Sequence, residues 1–346
     1  MSKKQPDPSA APASATVHAL PALPGKADRL LRELEWKVIR RLDGLLQGDY
    51  RTLMRGSGLD LADLREYQPH DDVRHIDWNV TARVNVPHVR VFTEDREMSA
   101  WFLLDLSPSV NFGPQGNAKR DILTGFVAVL SRLLTRHGNR VGAMLYGAGD
   151  GGPGAQRAVD HILPARSSRA HVLHLVHRLQ APPAPARPQG GAGTELHRLL
   201  QTGLATLRRR STVFVVSDFI SAPGWEKPLA QLAQRHDVVA VRLLDPLELE
   251  LPDVGLVVLR DAESGEQLQV DTHDAGFRHR FARLAAQREA VLREGLARAG
   301  ADTLELSTDD DLVDALVRFM DLRRRRVRTA PARMPAGTPA AAWQAA

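Results

Sequence analysis

Residues 101–113, WFLLDLSPSVNFG, join an apolar run to a cluster of oxygen-bearing side chains. The apolar letters predict a buried β-strand that ends near Asp105. Two hydroxyls follow at two-residue steps, from Ser107 and Ser109. A buried strand has no use for such polar groups unless they have a partner. A metal ion, a phosphoryl group, an acyl substrate or the backbone of the next helix is therefore expected beside them.

Apolar strands and amphipathic helices alternate along most of the chain after residue 99. Continuous apolar runs predict strands covered on both faces, and apolar residues at helical spacing predict helices. The predicted strands are 101–106, 140–146, 212–218, 238–244 and 303–307. The predicted helices are 118–137, 168–179, a helix from about 194, 228–235, 275–299 and 309–323. This alternation indicates an α/β fold with a Rossmann-like, doubly wound and mostly parallel sheet.

One segment breaks this alternation. Residues 254–272 contain two β-prone runs around Glu263, Ser264 and Gly265. Two runs around such a turn predict an antiparallel hairpin rather than a helical crossover.

Composition divides the chain into four segments. Residues 1–26 are rich in Ala, Pro and Ser and predict a disordered tail. Residues 27–98 are expected to hold an N-terminal helix over 27–47 and then a small β-rich segment. Residues 99–323 are expected to form the α/β domain. Residues 324–346 are expected to be a tail, first basic and then rich in Ala and Pro.

The composition also excludes several classes of function. The 346 residues include no cysteine, so disulfides, thiolate metal sites, iron–sulfur clusters and thiol nucleophiles are excluded. No apolar run is long enough for a membrane helix and no secretory signal is evident, so a cytoplasmic location is expected. The formal net charge is +5, with a basic run at 323–328. Such a run is typical of a solvated tail, although it could also bind nucleic acid.

Two further residues are expected to lie at the same edge of the sheet as the Asp105 cluster. In an open parallel sheet, ligands bind beyond the carboxyl ends of the strands. Asp218 ends a second predicted strand, and Thr194 lies at the predicted start of a helix after a Gly-rich loop. Carboxylate and hydroxyl oxygens suit a hard cation, and a small number of carboxylates favours Mg²⁺. The sequence therefore predicts a metal site formed by Asp105, Ser107, Ser109, Thr194 and Asp218.

Other functions of these side chains stay open. Asp and Ser at strand ends often cap the following helix. Asp105 could be the nucleophile of a metal-dependent phosphatase, but such enzymes need a second carboxylate where Ser107 stands. No G-x-S-x-G motif supports a serine hydrolase. His171, His174 and His177 could bind zinc, but their spacing favours an exposed polar helix face.

The metal-site pattern resembles that of a known domain family. Asp-Leu-Ser-Pro-Ser at 105–109, the Thr of GAGTEL at 191–196 and SDF at 217–219 resemble the metal-ion-dependent adhesion site of von Willebrand factor A domains. The resemblance implies that the serines and the threonine reach a Mg²⁺ ion, for which Mn²⁺ could substitute. It also implies that the aspartates act directly or through water, and that a carboxylate of a binding partner completes the coordination.

A second stretch resembles a bacterial family. LREYQPHDDVRHIDWNVTARVNVPHVRVFTEDRE, residues 64–97, is similar to the signature that precedes such a domain in the domain-of-unknown-function 58 family. His70 is a departure, because the family usually has Gly there. The resemblance implies a non-enzymatic interaction protein that works with a MoxR-type AAA+ ATPase on a client complex. The client would supply the acidic ligand.

The same stretch is dense in charged and aromatic residues. Arginine forks and carboxylates at this density usually satisfy one another. We therefore expect a network that fastens the β-rich segment to the sheet, with partner recognition as the alternative. The residues concerned are Arg65, Glu66, Tyr67, Asp72, Arg74, Asp77, Trp78 and Arg83.

Overall fold

A computed structural model of the chain describes residues 25–34, 63–68, 73, 76–91, 99–113, 118–147, 159–181, 194–261 and 266–329. The strands are β1 (Asp63–Glu66), β2 (His88–Val91), β3 (Ser99–Asp105), β4 (Arg140–Tyr146), β5 (His161–Arg166), β6 (Thr212–Ser217), β7 (Asp237–Leu244), β8 (Leu256–Arg260), β9 (Gln267–Asp271) and β10 (Asp302–Ser307). The helices are α1 (Gly25–Leu34), α2 (Trp78–Val84), α3 (Lys119–Arg136), α4 (Arg169–Leu179), α5 (Leu196–Thr206), α6 (Glu226–Arg235), α7 (Ala275–Ala299) and α8 (Leu312–Thr329). Short 3-10 turns span Pro108–Asn111 and Pro246–Glu248.

The central sheet has six strands in the order β10-β7-β6-β3-β4-β5. All neighbours are parallel except β5, which pairs antiparallel with β4 at one edge. The chain enters at β3, adds β4 and β5 on one side, and then crosses to build β6, β7 and β10 on the other. The predicted α/β class with a mostly parallel sheet is confirmed, and the direction of winding changes between β3 and β6.

Helices cover both faces of this sheet, which explains why the strands are apolar on both sides. On one face the rings of Phe102, Phe126 and Phe214 pack together, with centroids 5.2 to 6.3 Å apart, where α3 and α8 lie on the sheet. On the other face Leu103 and Val213 pack against residues of α5, α6 and α7. Both cores are fully buried, so the sheet is a rigid platform for the loops at its edges.

Two smaller antiparallel pairs accompany the sheet. β8 and β9 form the predicted hairpin, paired from Leu256 with Asp271 to Arg260 with Gln267. β1 and β2 form the strand pair of the N-terminal segment, as its β-prone residues indicated. The described part of the predicted N-terminal helix is α1, which ends at Leu34, and the remainder of that prediction lies outside the described residues.

Two elements were not predicted from the sequence. Strand β5 contains Pro164, which argues against a central strand but is tolerated at an edge, where an N–H is dispensable. Helix α2 is rich in β-branched residues, which lower helix propensity, and it is only seven residues long. Local propensity was misleading in both cases because the position of the segment determined its structure.

The end of the α/β domain differs from the expectation of a solvated basic run starting at Arg323. Helix α8 continues to Thr329, and Arg323 is buried. Its guanidinium pairs with Asp237 at 2.7 and 2.9 Å and with Asp302 at 3.1 Å. The first arginine of the run is therefore part of the fold. The division of the chain into four segments itself stays a prediction.

The histidines of α4 also differ from the expected exposed face. His171 is buried, and its Nε2 lies 2.9 Å from the carbonyl oxygen of Val141. Its burial lowers the pKa of the imidazole, which therefore stays neutral near pH 7. His177 is exposed and His174 is half-buried. None of the helices in the described part of the chain has the length and apolar character needed to cross a bilayer.

Candidate functional site

The candidate site lies where β3 and β6 end, at one edge of the central sheet. Asp105 is the last residue of β3, and Asp218 follows the last residue of β6. The two strands are parallel neighbours, so their carboxyl ends lie side by side at the switch in winding direction. Ligands of open α/β sheets bind at this position. The predicted juxtaposition of the two aspartates is present in the structure.

The carboxyl group of Asp105 is fully buried, and both of its oxygens accept hydrogen bonds. Oδ1 accepts from the backbone N–H of Ser107 at 3.0 Å, and Oδ2 accepts from the Ser217 hydroxyl at 2.7 Å. Burial and the charge of Asp218 raise the pKa of Asp105 from 3.8 to about 6, although the hydrogen bonds lower it. A cation beside these two carboxyl groups would relieve their repulsion.

The hydroxyls of Ser107 and Ser109 are buried and lie 3.1 Å apart. Ser107 is the N-cap residue of the 3-10 turn Pro108–Asn111, but its side chain makes no capping hydrogen bond. Helix capping therefore does not explain the Ser107 hydroxyl. Each hydroxyl oxygen has two lone pairs, so a pair of them can hydrogen-bond and still offer oxygen to a cation.

Thr194 is buried and lies close to the loop that follows Asp218. Its carbonyl oxygen accepts hydrogen bonds from the backbone N–H of Ala222 at 2.9 Å and from the Ser221 hydroxyl at 2.7 Å. The Ser221 hydroxyl in turn accepts from the N–H of Leu196, the first residue of α5. Thr194 thus precedes α5 by two residues, with Glu195 as the N-cap residue, instead of starting the helix.

The loop after β4 holds these segments together. Gly147 has a φ of +78°, and a Cβ there would lie 2.9 Å from backbone atoms of Leu106 and Ser107. Only glycine therefore permits this close approach. The preceding Tyr146 accepts the N–H of Leu106 on its carbonyl oxygen and the N–H of Glu195 on its hydroxyl. The end of β4 and the residue after it therefore contact both the serine segment and the Thr194 segment.

Asp218 begins a tightly held turn. Its Oδ1 accepts the N–H of Ile220 at 3.0 Å. Phe219 has a φ of 58°, a left-handed conformation that is uncommon for any residue except glycine. The Phe219 ring packs against Trp225 with centroids 5.2 Å apart, and its N–H donates to the Ser217 hydroxyl. Strained backbone of this kind concentrates at functional sites, where surrounding contacts hold it.

A lysine that sequence patterns did not indicate completes the surroundings of Asp218. Lys119 is fully buried, and its ammonium group lies 2.8 Å from Oδ2 of Asp218 and 2.7 Å from Oε1 of Glu248. Burial opposes the charge, but the two carboxylates outweigh it, so the pKa of Lys119 is raised. The lysine is therefore charged throughout the physiological pH range.

Among the described side chains at this edge, the atoms that could bind a metal are carboxylate and hydroxyl oxygens. The remaining polar group is the Lys119 ammonium, which is a cation and not a metal ligand. In the part of the chain that the structure describes, no group of three or more His, Asp or Glu side chains is arranged to hold a metal. A metal at this edge would consequently depend on hydroxyl oxygens as well as on the carboxylates of Asp105 and Asp218. Such a mixture fits a hard divalent cation that retains several waters.

The charged stretch before β3 is only partly described. Asp77 is buried and accepts the N–H of Val80 on its side chain, which caps α2. Its own N–H donates to the carbonyl oxygen of His88, the first residue of β2. Trp78 is 69% exposed, so it does not take part in a buried network. His70 lies outside the described residues, as do the side chains of Arg65, Asp72 and Arg74.

Two solved structures show limited similarity to this chain. The conserved hypothetical protein BatB from Bacteroides thetaiotaomicron is 12% identical, with a TM-score of 0.40 over 66% of this chain and 99% of that one. The pilus adhesin SpaC from Lactobacillus rhamnosus GG is 11% identical, with a TM-score of 0.37 over 66% of this chain and 30% of that one. Similarity at this level is too weak to define the function or the finer fold.

Sequence relatives are more informative. The uncharacterized protein Rv1480 of Mycobacterium tuberculosis is 39% identical over 319 residues, which cover 90% of this chain and 96% of the relative. The uncharacterized protein MAV169 of Mycobacterium avium is 38% identical over 164 residues, 47% of this chain and 94% of the relative. The family described as "Protein of unknown function DUF58" matches residues 63–291, which include all five predicted metal ligands. The chain therefore belongs to the DUF58 family.

Proposed function

We propose that the protein is a non-enzymatic, metal-dependent protein-interaction module with a Rossmann-like domain of the von Willebrand factor A type. The residues that would hold Mg²⁺, or Mn²⁺ in its place, are Asp105, Ser107, Ser109, Thr194 and Asp218. When bound, the metal would supply an open coordination position for a carboxylate of a partner.

One observation carries this proposal. Two buried carboxyl groups from neighbouring strands lie beside a pair of buried hydroxyls, and the hydroxyl of Ser107 caps no helix. In the metal-free fold, burial and, after it, the charge of Asp218 raise the pKa of Asp105 to about 6. Natural proteins rarely keep such an arrangement unless it has a functional use.

The partner belongs to the proposal through the family resemblance. We infer that a MoxR-type AAA+ ATPase acts together with this protein, and that a client complex presents the acidic ligand. The chemistry at the site supports the second part, because three of the five proposed ligands are neutral hydroxyls, which leave the cation's charge only partly neutralised by direct carboxylate contacts. Such a cation attracts a carboxylate more strongly than one that is already surrounded by carboxylates.

A pull-down in the presence of Mg²⁺ or of EDTA tests the proposal. The baits are the wild type, Asp105→Ala and the control Glu294→Ala, which removes an exposed acid on α7. We expect a MoxR-type ATPase or an acidic client, identified by mass spectrometry, only with Mg²⁺ and only on the wild-type and control baits. If the captured proteins are the same in every condition, the interaction does not depend on this site.

A further inference from the structure

The ammonium group of Lys119 joins two carboxylates that come from different loops of the same sheet edge. Lys119 is the first residue of α3, Asp218 follows β6, and Glu248 ends the 3-10 turn after β7. The lysine is fully buried, whereas 15% of the Glu248 side chain is exposed. A buried lysine of this kind is stable only because negative groups surround it.

Glu248 is itself fixed on its other side. Its second carboxylate oxygen accepts the N–H of Asp245 at 3.2 Å, and its carbonyl oxygen accepts from the guanidinium of Arg288 on α7 at 3.3 Å. The side chain of Asp245 accepts from the hydroxyl of Thr308 at 2.9 Å. These hydrogen bonds hold the Glu248 carboxylate in place beside Lys119.

The charges at this edge have a definite balance. Asp105, Asp218 and Glu248 carry three negative charges when ionised, and Lys119 carries one positive charge. These four groups leave a surplus of two negative charges, which the guanidinium of Arg288 beside Glu248 reduces in part. Because Lys119 contacts the same carboxylate that would face the metal, its charge opposes metal binding, and the charge of Glu248 favours it.

We propose that Lys119 and Glu248 determine the metal affinity of the candidate site through their opposite charges, with Lys119 competing with the metal for Asp218. This inference rests on the proposed function, because it assumes that a divalent cation binds beside Asp105. Metal binding would then depend on the total negative charge at the site, including any carboxylate that a partner brings. Lys119 and Glu248 would act on the metal through Asp218 and through space, as positioning residues and not as ligands.

The test is a charge-balance cycle measured by isothermal titration with MnCl₂ and with MgCl₂. Lys119→Met removes the positive charge at nearly constant length, and we expect it to tighten metal binding about tenfold. Glu248→Gln removes the negative charge without changing shape, and we expect it to weaken binding about tenfold. The double variant restores the balance, so its affinity should return to within about threefold of the wild type.

Two exposed positions supply matched controls. Lys227→Met on α6 and Glu294→Gln on α7 repeat the same chemical changes at the surface, and both should leave the affinity within about twofold of the wild type. If Lys119 merely orients Asp218, Lys119→Met will lose metal binding while Glu248→Gln will not change it, and the proposal is then wrong. Should Lys119→Met fail to fold, Glu248→Gln decides alone, because an unchanged or tighter affinity overturns the proposal.

Failure of the proposed function gives a different result. A wild type that binds neither metal, or binds it equally well in Asp105→Asn, would overturn both the metal site and this inference, and would leave Lys119 as the cation of the site. A wild type whose binding needs Asp105 but whose affinity does not respond to Lys119→Met or to Glu248→Gln would overturn this inference alone.

Discussion

Asp105 links the charge of the site to the stability of the protein. Its pKa in the folded chain is about 6, above the ordinary value of 3.8, because of burial and the charge of Asp218. A raised pKa means that the folded state binds the proton more tightly than the unfolded state does. The stabilising contribution is therefore complete below about pH 3.8 and is lost as the pH rises through about 6.

Because the Asp105 charge is unfavourable in the metal-free fold, we expect Asp105→Asn to stabilise the metal-free protein at neutral pH. The amide has nearly the same shape and carries no charge. Its oxygen can accept from the Ser107 N–H while its NH₂ donates to the Ser217 hydroxyl, which reverses the direction of that hydrogen bond. In EDTA, the free energy of unfolding of the variant relative to the wild type should rise by about 2 kcal/mol between about pH 4 and about pH 7.5. Urea unfolding at several pH values measures this difference.

The same variant should respond oppositely to metal. Mg²⁺ is expected to raise the melting temperature of the wild type, because it neutralises the two carboxylates, but not that of Asp105→Asn. A variant that is less stable than the wild type at neutral pH in EDTA would show that the Asp105 charge is not unfavourable in the fold. Equal stabilisation of both proteins by Mg²⁺ would show that the ion binds elsewhere.

At the residue scale, the sequence predicts the positions of the two aspartates better than it predicts their surroundings. Asp105 and Asp218 could be predicted to meet, because each follows an apolar run and parallel strands end at one edge. Lys119 could not be assigned to this site, because its partner carboxylates lie 99 and 129 positions away in the chain. Locally it is the first of three charged residues that open an amphipathic helix, where a solvent-exposed lysine is the usual outcome.

At the element scale, the apolar pattern of the sequence predicted the strands with long apolar runs. It failed where the place of a segment in the fold mattered more than its local sequence. Strands β3, β6 and β7 each contain a continuous apolar run because helices cover both of their faces, and all three were predicted. Strand β5 alternates in exposure and contains a proline, which only its place at the sheet edge allows. Helix α8 extends past its predicted end at Arg323, which looks like a surface residue in the sequence but is buried and pairs with two largely buried acids.

The Arg323 ion pairs predict a large effect on stability without an effect on the site. Arg323→Met would remove a buried cation from the largely buried carboxylates of Asp237 and Asp302, at the start of β7 and β10, and should cost about 3 kcal/mol in the free energy of unfolding. These residues lie at the amino ends of their strands, opposite the candidate site, so metal affinity in the folded variant should not change. Chemical unfolding and metal titration measure the two quantities.

A control on the same helix separates charge from position. Arg318 is 62% exposed and pairs with Asp310 at 3.1 Å, so Arg318→Met should cost less than about 1 kcal/mol. Similar losses for Arg318→Met and Arg323→Met would contradict the structural role of Arg323. A truncation before Arg323 would therefore damage the fold, and it could not test nucleic-acid binding by the remaining arginines of the basic run.

At the scale of the whole molecule, the winding of the sheet brings together segments that are far apart in the chain. Residues 105–109 and 218 lie at the same edge because β3 and β6 are neighbours although more than a hundred residues separate them. Hydrogen bonds from Ser221 and Ala222 hold the Thr194 carbonyl oxygen to the loop after Asp218. Each segment has a backbone N–H that is hydrogen-bonded within the site, and these amides belong to Ser107, Leu196 and Ile220. A ligand that binds all three segments must restrict all three at once.

Hydrogen exchange with and without Mg²⁺ therefore tests the site as one unit. We expect the metal to slow exchange in peptides covering 105–113, 194–200 and 217–222 together, because opening any one of them would release the ion. Peptides at the amino ends of β7 and β10 should not change, since they lie at the opposite edge of the sheet. In Asp105→Asn the three segments should be unaffected by Mg²⁺. Slowing confined to a single segment would mean that the ion binds there locally and that the predicted ligands do not act together.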